Sequence, residues 1–257
     1  MAILYAGLVL GGIGLVFGLI LTFASKAFHV DVDERVQQVR ACCAGANCGA
    51  CGYAGCDAFA QAVVDGKAEP SGCAPAGAKG VAKIAAIMGV EAKANAPKVA
   101  RVLCNGELGI AKHKFDYVGV RSCRVAASIA GGPKLCPYAC VGLGDCELAC
   151  KFGAISIVND LARVDAHKCV ACGACEKACP RSVIKLLPAE STVTVRCQNS
   201  ETGRIAREMC MKACIGCKLC ERQCEYDAIH VQNGFARIDP DKCTRCGKCA
   251  EKCPAGC

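Results

Sequence analysis

The chain opens on 22 residues without a charge, Ile3 to Ala24, and then changes character. As a helix rising ~1.5 Å per residue, this run covers about 33 Å, enough for a hydrocarbon core of ~30 Å. A membrane anchor over residues 1–28 is therefore expected. The competing reading is a cleaved signal peptide. No basic segment precedes the run, and it is longer than an ordinary signal core. Gly7, Gly11, Gly14 and Gly18 give the helix small-residue faces that a second spanning helix could approach closely.

Beyond the anchor the apolar pattern is short-ranged. Helical spacing starts at Cys56-Asp-Ala-Phe-Ala-Gln-Ala-Val-Val and again over Val81 to Val90, with a linker over Ala92 to Lys98. Further on, two alternating stretches are each broken by a two-residue turn signal, Asn159-Asp160 and the stronger Asn233-Gly234, and these predict β-hairpins. The two hairpins belong to a repeat. Cys136–Cys179 aligns with Cys210–Cys253 at an offset of 74 residues without a gap, and 19 of 44 positions are identical. The fold class expected is α+β: an N-terminal transmembrane helix, a small α-helical cluster domain, and tandem ferredoxin-like units of two clusters each. The expected boundaries are 1–28, 33–96, a connecting segment 97–135, a first unit 136–187, a connecting hairpin or linker 188–209, and a second unit 210–257.

Composition says what holds such short elements together. Of 257 residues 27 are cysteine, and without them the 53% hydrophobic fraction falls to about 42%, with no tryptophan. That is thin for a conventional core. An odd cysteine count and repeated Cys-x-x-Cys spacings favour metal ligation over disulfides, and the binding free energy of such sites is folding free energy. The formal charge of +8 would suggest a nucleic-acid partner. However, each cubane iron–sulfur cluster on four thiolates carries about −2, so five bring the total to about −2 and no nucleic-acid partner is expected.

The ligand sets follow from spacing. Cys48, Cys51, Cys56 and Cys73 form an N-terminal set on a glycine-rich loop, with zinc as the alternative occupant. Cys42 and Cys43 are read as bystanders. In the second unit the two runs Cys214, Cys217, Cys220, Cys224 and Cys243, Cys246, Cys249, Cys253-Pro254 follow the two-cluster ferredoxin pattern. There the fourth cysteine of each run serves the other run's cluster. This assigns Cys214, Cys217, Cys220 and Cys253 to one [4Fe-4S] cluster and Cys243, Cys246, Cys249 and Cys224 to the next. The first unit departs from the pattern, because Leu143 stands where a cysteine is due. With Cys136 as replacement, the sets are Cys136, Cys140, Cys146 and Cys179, and Cys169, Cys172, Cys175 and Cys150. A [3Fe-4S] centre on three cysteines is the alternative for the former. Cys104, Cys123, Cys197 and Cys210 are a candidate sixth site, against the plainer reading of idle thiols, and Cys257 is left over.

No Walker loop and no convincing dinucleotide fingerprint occurs, Gly12-x-Gly14 lying inside the apolar run. His29, His113, His167 and His230 are off any ligand spacing. No independent catalytic site is expected, and the chain reads as a one-electron conductor. Free thiols suit a reducing compartment, and Lys26, Arg35 and Arg40 follow the anchor, so the bulk of the chain is expected on the cytoplasmic side.

An uncharged anchor, then Ala46-Asn47-Cys48-Gly-Ala-Cys51-Gly-Tyr-Ala-Gly-Cys56, then ferredoxin units: this order resembles the B subunit of the Rnf complex over essentially the whole chain. The resemblance implies a component of a membrane complex that couples electron flow from reduced ferredoxin, usually to NAD, with pumping of sodium ions or protons. It also implies that Cys48, Cys51, Cys56 and Cys73 hold the cluster nearest the membrane, and that ferredoxin docks on this chain. Ala54 stands where the family often has proline, and Leu103 to Pro137 exceeds the shortest members. Ferredoxins are acidic, so Lys212, Lys218, Arg222, Arg245, Lys248 and Lys252 form a candidate docking face. The alternative function is a membrane-tethered polyferredoxin serving a hydrogenase or another dehydrogenase.

Overall fold

The computed structural model describes residues 2–27, 33–91 and 96–257, so the linker expected over Ala92 to Lys98 lies largely outside the described residues. Helix α1 runs from Ala2 to Ala27, and its one charged residue is Lys26. Large apolar side chains along it, from Leu10 to Phe23, are exposed on every side. Among the described residues no helix is long and apolar enough to cross a membrane. Several side chains of the Ile3–Ala24 run, and Phe28 at the expected end of the anchor, lie outside that set.

The N-terminal unit is helical. Helix α2 (Glu34–Cys42) starts at Asp33, whose carboxylate accepts the Arg35 backbone N–H at 2.9 Å, a side-chain N-cap. Helix α3 (Cys56–Val64) and α4 (Gly77–Met88) pack on it. Val39, Phe59, Val63 and Ile84 are the buried centre, as their helical spacing requires.

In the remaining chain three antiparallel sheets of two strands each were found, alongside short helices, among the described residues. In the first unit β2 (Ile155–Val158) pairs with β3 (Leu161–Val164), and in the second β5 (Ile229–Gln232) pairs with β6 (Phe235–Ile238). The turns sit at Asn159-Asp160 and Asn233-Gly234, all four residues at positive φ, the conformation of a type I′ turn. The repeat is kept in three dimensions. Helices α6 (Asp145–Leu148) and α7 (Ala174–Ala178) of the first unit start 74 residues before α9 (Leu219–Gln223) and α10 (Lys248–Glu251) of the second.

Two segments expected to be connectors are structured. Within 97–135, β1 (Lys98–Val102) pairs antiparallel with β4 (Ile184–Pro188), from Lys98 opposite Pro188 to Val102 opposite Ile184, and α5 spans Cys123–Ser128. Val99, Ala100 and Val102 are buried, and the pairing satisfies backbone groups that a lone strand would leave open. Within 188–209 no hairpin forms. An irregular run leads to α8 (Gly203–Met209), whose Ala206 is fully buried and whose Arg204 and Glu208 face each other one turn apart.

Candidate metal centres

The cysteine loops share one backbone device. In all four runs the second and fourth residues after the first cysteine are left-handed: Gly142 and Gly144, Ala171 and Gly173, Gly216 and Lys218, Arg245 and Gly247. This curls each loop around its thiols and turns amide hydrogens towards them. Backbone N–H groups of Ala100, Ala154, Ala228, Ala236 and Arg245 each donate at 3.4 Å to the sulfur of Cys169, Cys150, Cys224, Cys214 and Cys243 respectively. Donors aimed at sulfur are what a thiolate-held cluster uses to set its potential. Among the described residues no three His, Cys, Asp or Glu side chains converge closely enough to share one metal ion. The thiols line small cavities, and this all-cysteine donor set fits an iron–sulfur cluster.

In the second unit one cavity is lined by Cys214, Cys217, Cys220 and Cys253 together with Cys249 and Cys257, and a second by Cys224, Cys243, Cys246 and Cys249, so Cys249 borders both. Burial pushes the Cys220 thiol up to about 11, and nearby Cys214, Cys217 and Cys253 add to it. Each cavity thus takes its fourth thiol from the other run. Cys257, read from sequence as a leftover, lies 3.6 Å from Cys253, and its thiol donates to Cys214, holding that residue down to about 6. Cys217 and Cys246 are exposed, so both cavities reach the surface.

In the first unit burial raises Cys172 and Cys175, with Cys169 next to both and Cys150 beside Cys172. The other cavity is lined by Cys140, Cys146 and Cys179, and its fourth thiol is Cys123 at the start of α5, not Cys136. Burial pushes Cys146 up to about 12, and Cys140, Cys123 and Cys179 reinforce the shift. Asp145 holds Cys123 there: its carboxylate accepts the backbone N–H of Cys123 at 2.9 Å and of Arg124 at 3.0 Å. Cys136 points into another cavity, with Cys104, Cys197 and Cys210. The structure therefore exchanges Cys123 and Cys136 relative to the sets read from spacing. A signal for this was available, because Cys210, the counterpart of Cys136, stands beside a run that is already complete.

In the N-terminal unit Cys48 and Cys51 are half-buried, Cys56 and Cys73 buried. Asn47 shapes the loop: at φ 45° its side-chain oxygen accepts the Cys56 N–H at 2.8 Å, capping α3 from nine residues away. The Cys43 thiol donates to Cys73, which is thereby held down to about 6. Cys43 is thus packed against this set, whereas it was read as a bystander. The unit also touches the first ferredoxin-like unit, whose Lys151 ammonium donates to the Asn47 carbonyl at 3.1 Å.

On the candidate docking face, Arg245 and Lys248 are already engaged, with Glu190 at 2.5 Å and Glu225 at 2.6 Å. Lys212, Lys218, Arg222 and Lys252 are exposed.

Comparison with known proteins finds iron–sulfur domains in three parts of the chain. A family model described as an Fe-S cluster matches residues 44–75, a 4Fe-4S binding domain matches 162–185, and a 4Fe-4S dicluster domain matches 213–257. The chain is 46% identical over 250 residues to the B subunit of the Na+-translocating ferredoxin:NAD+ oxidoreductase complex of Acetobacterium woodii, covering 97% of this chain and 75% of that one. It is 38% identical to the B subunit of the ion-translocating oxidoreductase complex of Methanosarcina acetivorans, over 96% of this chain and 94% of the relative. To the B subunit of the proton-translocating ferredoxin:NAD+ oxidoreductase complex of Clostridium ljungdahlii it is 39% identical, over 95% and 87%.

Proposed function

The chain belongs to the family of B subunits of ion-translocating oxidoreductase (Rnf) complexes, and from this we propose that it takes electrons from reduced ferredoxin and delivers them to the membrane components of such a complex. It is an iron–sulfur electron-transfer protein, and its partners include the other members of the complex. Bound clusters supply one-electron chemistry, and the chain's own part is to hold and space them.

Entry is at the second ferredoxin-like unit, where the exposed Cys217 and Cys246 bring two cluster sets to the surface. Exit is at the N-terminal set of Cys48, Cys51, Cys56 and Cys73. The observation that supports this route is the contact of Lys151 with the Asn47 carbonyl at 3.1 Å, which sets the N-terminal ligand loop beside the first ferredoxin-like unit. The uncharged run Ile3 to Ala24 supports a single-pass anchor. The reducing environment that thiolate clusters need supports a cytoplasmic location for the rest.

The docking face is narrower than sequence suggested. Arg245 and Lys248 are paired within the chain, which leaves Lys212, Lys218, Arg222 and Lys252 exposed, and of these Lys218 and Lys252 flank Cys217 and Cys253, where an acidic ferredoxin would meet them. Rapid-mixing oxidation of reduced ferredoxin by the anaerobic complex tests this. Lys218→Glu with Lys252→Glu should slow the association step roughly tenfold at low salt, with the difference fading as salt screens the charges. An unchanged rate and salt dependence would overturn the proposed entry point.

A further inference from the structure

One further cysteine-lined cavity is shared by the two ferredoxin-like units and lies outside their Cys-x-x-Cys runs. It is lined by Cys104, Cys136, Cys197 and Cys210, which come from four separate stretches of the chain. Three of these thiols are buried and Cys197 is half-buried. Gly106 locates two of the sulfurs: a Cβ built there would lie 3.4 Å from the Cys104 sulfur and 4.0 Å from that of Cys210. The donor pattern of the ferredoxin runs recurs. The backbone N–H groups of Gly106 and Cys140 donate to the Cys104 sulfur at 3.3 and 3.4 Å. The side-chain amide of Asn199, itself 1% exposed, donates to the Cys136 sulfur at 3.5 Å.

A second observation concerns charge. Lys134 is 2% exposed, and its ammonium donates to the carbonyl oxygens of Gly106 at 2.7 Å and Asp160 at 2.6 Å. No carboxylate pairs with it among the described residues, and a buried, uncompensated ammonium is costly. Its positive charge acts on Cys210 of this cavity and on Cys140 of the neighbouring one. Two anionic clusters, one on each side, would account for a lysine at this place.

We propose that Cys104, Cys136, Cys197 and Cys210 hold a sixth [4Fe-4S] cluster, and that Cys123 completes the neighbouring set with Cys140, Cys146 and Cys179. The proposal rests on the iron–sulfur reading above and extends it. The sixth site joins the wire at both ends. Cys104 receives the Cys140 amide on the side of the first unit, and Cys197 neighbours Cys214 on the side of the second.

Native mass spectrometry of the anaerobically purified full chain in detergent counts whole clusters. The wild type should carry six, or ~24 iron atoms at four per cubane. Cys104→Ala with Cys136→Ala should leave five, because both residues serve one site. Cys104→Ala with Cys123→Ala should leave four. If the first pair also leaves four, Cys136 belongs to the neighbouring set and the assignment falls. A wild type with five clusters that the first pair does not reduce overturns the sixth site alone. A wild type without clusters overturns the underlying iron–sulfur reading as well. If the alanine pairs do not accumulate, Cys104→Ser with Cys136→Ser keeps side-chain size, and electron paramagnetic resonance should then show one altered cluster signal, two altered signals being the overturning result.

Discussion

The ammonium of Lys151, just past Cys150, donates to the backbone carbonyl of Asn47, just before Cys48, at 3.1 Å. One lysine thereby links the ligand loop of the N-terminal unit to that of the first ferredoxin-like unit. The contact is exposed, so it contributes little stability, but it holds the two ligand loops side by side.

Replacing Lys151 with glutamate is accordingly expected to change thermal stability by less than ~1 kcal/mol, as for other exposed polar contacts. Electron exchange between the N-terminal cluster and the Cys172 set should slow in the same variant. Freeze-quench paramagnetic resonance after partial reduction measures that rate, and an unaltered rate would mean that other contacts set the spacing.

Asp145 begins α6 next to Cys146, and its carboxylate caps α5 at Cys123. Asp145→Ala should cost about 1–2 kcal/mol, as for loss of a side-chain cap. Heating should then bleach one cluster ahead of the rest, and Asp145→Asn should restore part of the loss. Cluster absorbance followed against temperature distinguishes the two variants.

Gly142 and Gly247 occupy left-handed positions in equivalent loops, but only the first is crowded. At φ 86° a Cβ on Gly142 would overlap the backbone of Asp160, whereas at Gly247, φ 79°, nothing lies within 4 Å. Gly247→Ala should therefore cost only the left-handed strain, about 1–2 kcal/mol. Gly142→Ala adds a clash with backbone that cannot move away, and should cost more than ~2 kcal/mol. Anaerobic thermal melts of both variants should preserve this order.

Removing iron should unfold most of the ferredoxin-like part. All three sheets found among the described residues have two strands, a size that is marginal on its own in water. Iron chelation under reducing conditions should abolish the strand signal in circular dichroism, and reconstitution with iron and sulfide should restore it. The N-terminal unit, with Phe59 and Ile84 buried among three helices, should retain more of its structure.

Local features of this protein are readable in its residues, because each is decided within a few positions of itself. The turns at Asn159 and Asn233 follow from side chains that tolerate positive φ, and helix α3 follows from the apolar spacing after Cys56. The crossed sets expected in the second unit rest on the spacing of its runs, since a loop curled by two left-handed residues brings three thiols together and leaves the fourth to a distant segment. Folding in space decided which distant segment. Leu143 leaves a gap in the first unit, and spacing alone points to Cys136, four residues before Cys140. The cavity takes Cys123 instead, because the Asp145 carboxylate holds the start of α5 against α6, while Cys136 faces Cys104, Cys197 and Cys210. Likewise β1 finds β4 more than eighty residues later, a pairing that no local pattern in Lys98–Val102 encodes. Backbone torsion is a property of neighbours in sequence, whereas the fourth thiol of a cluster and the partner of an edge strand are set by what packs behind them.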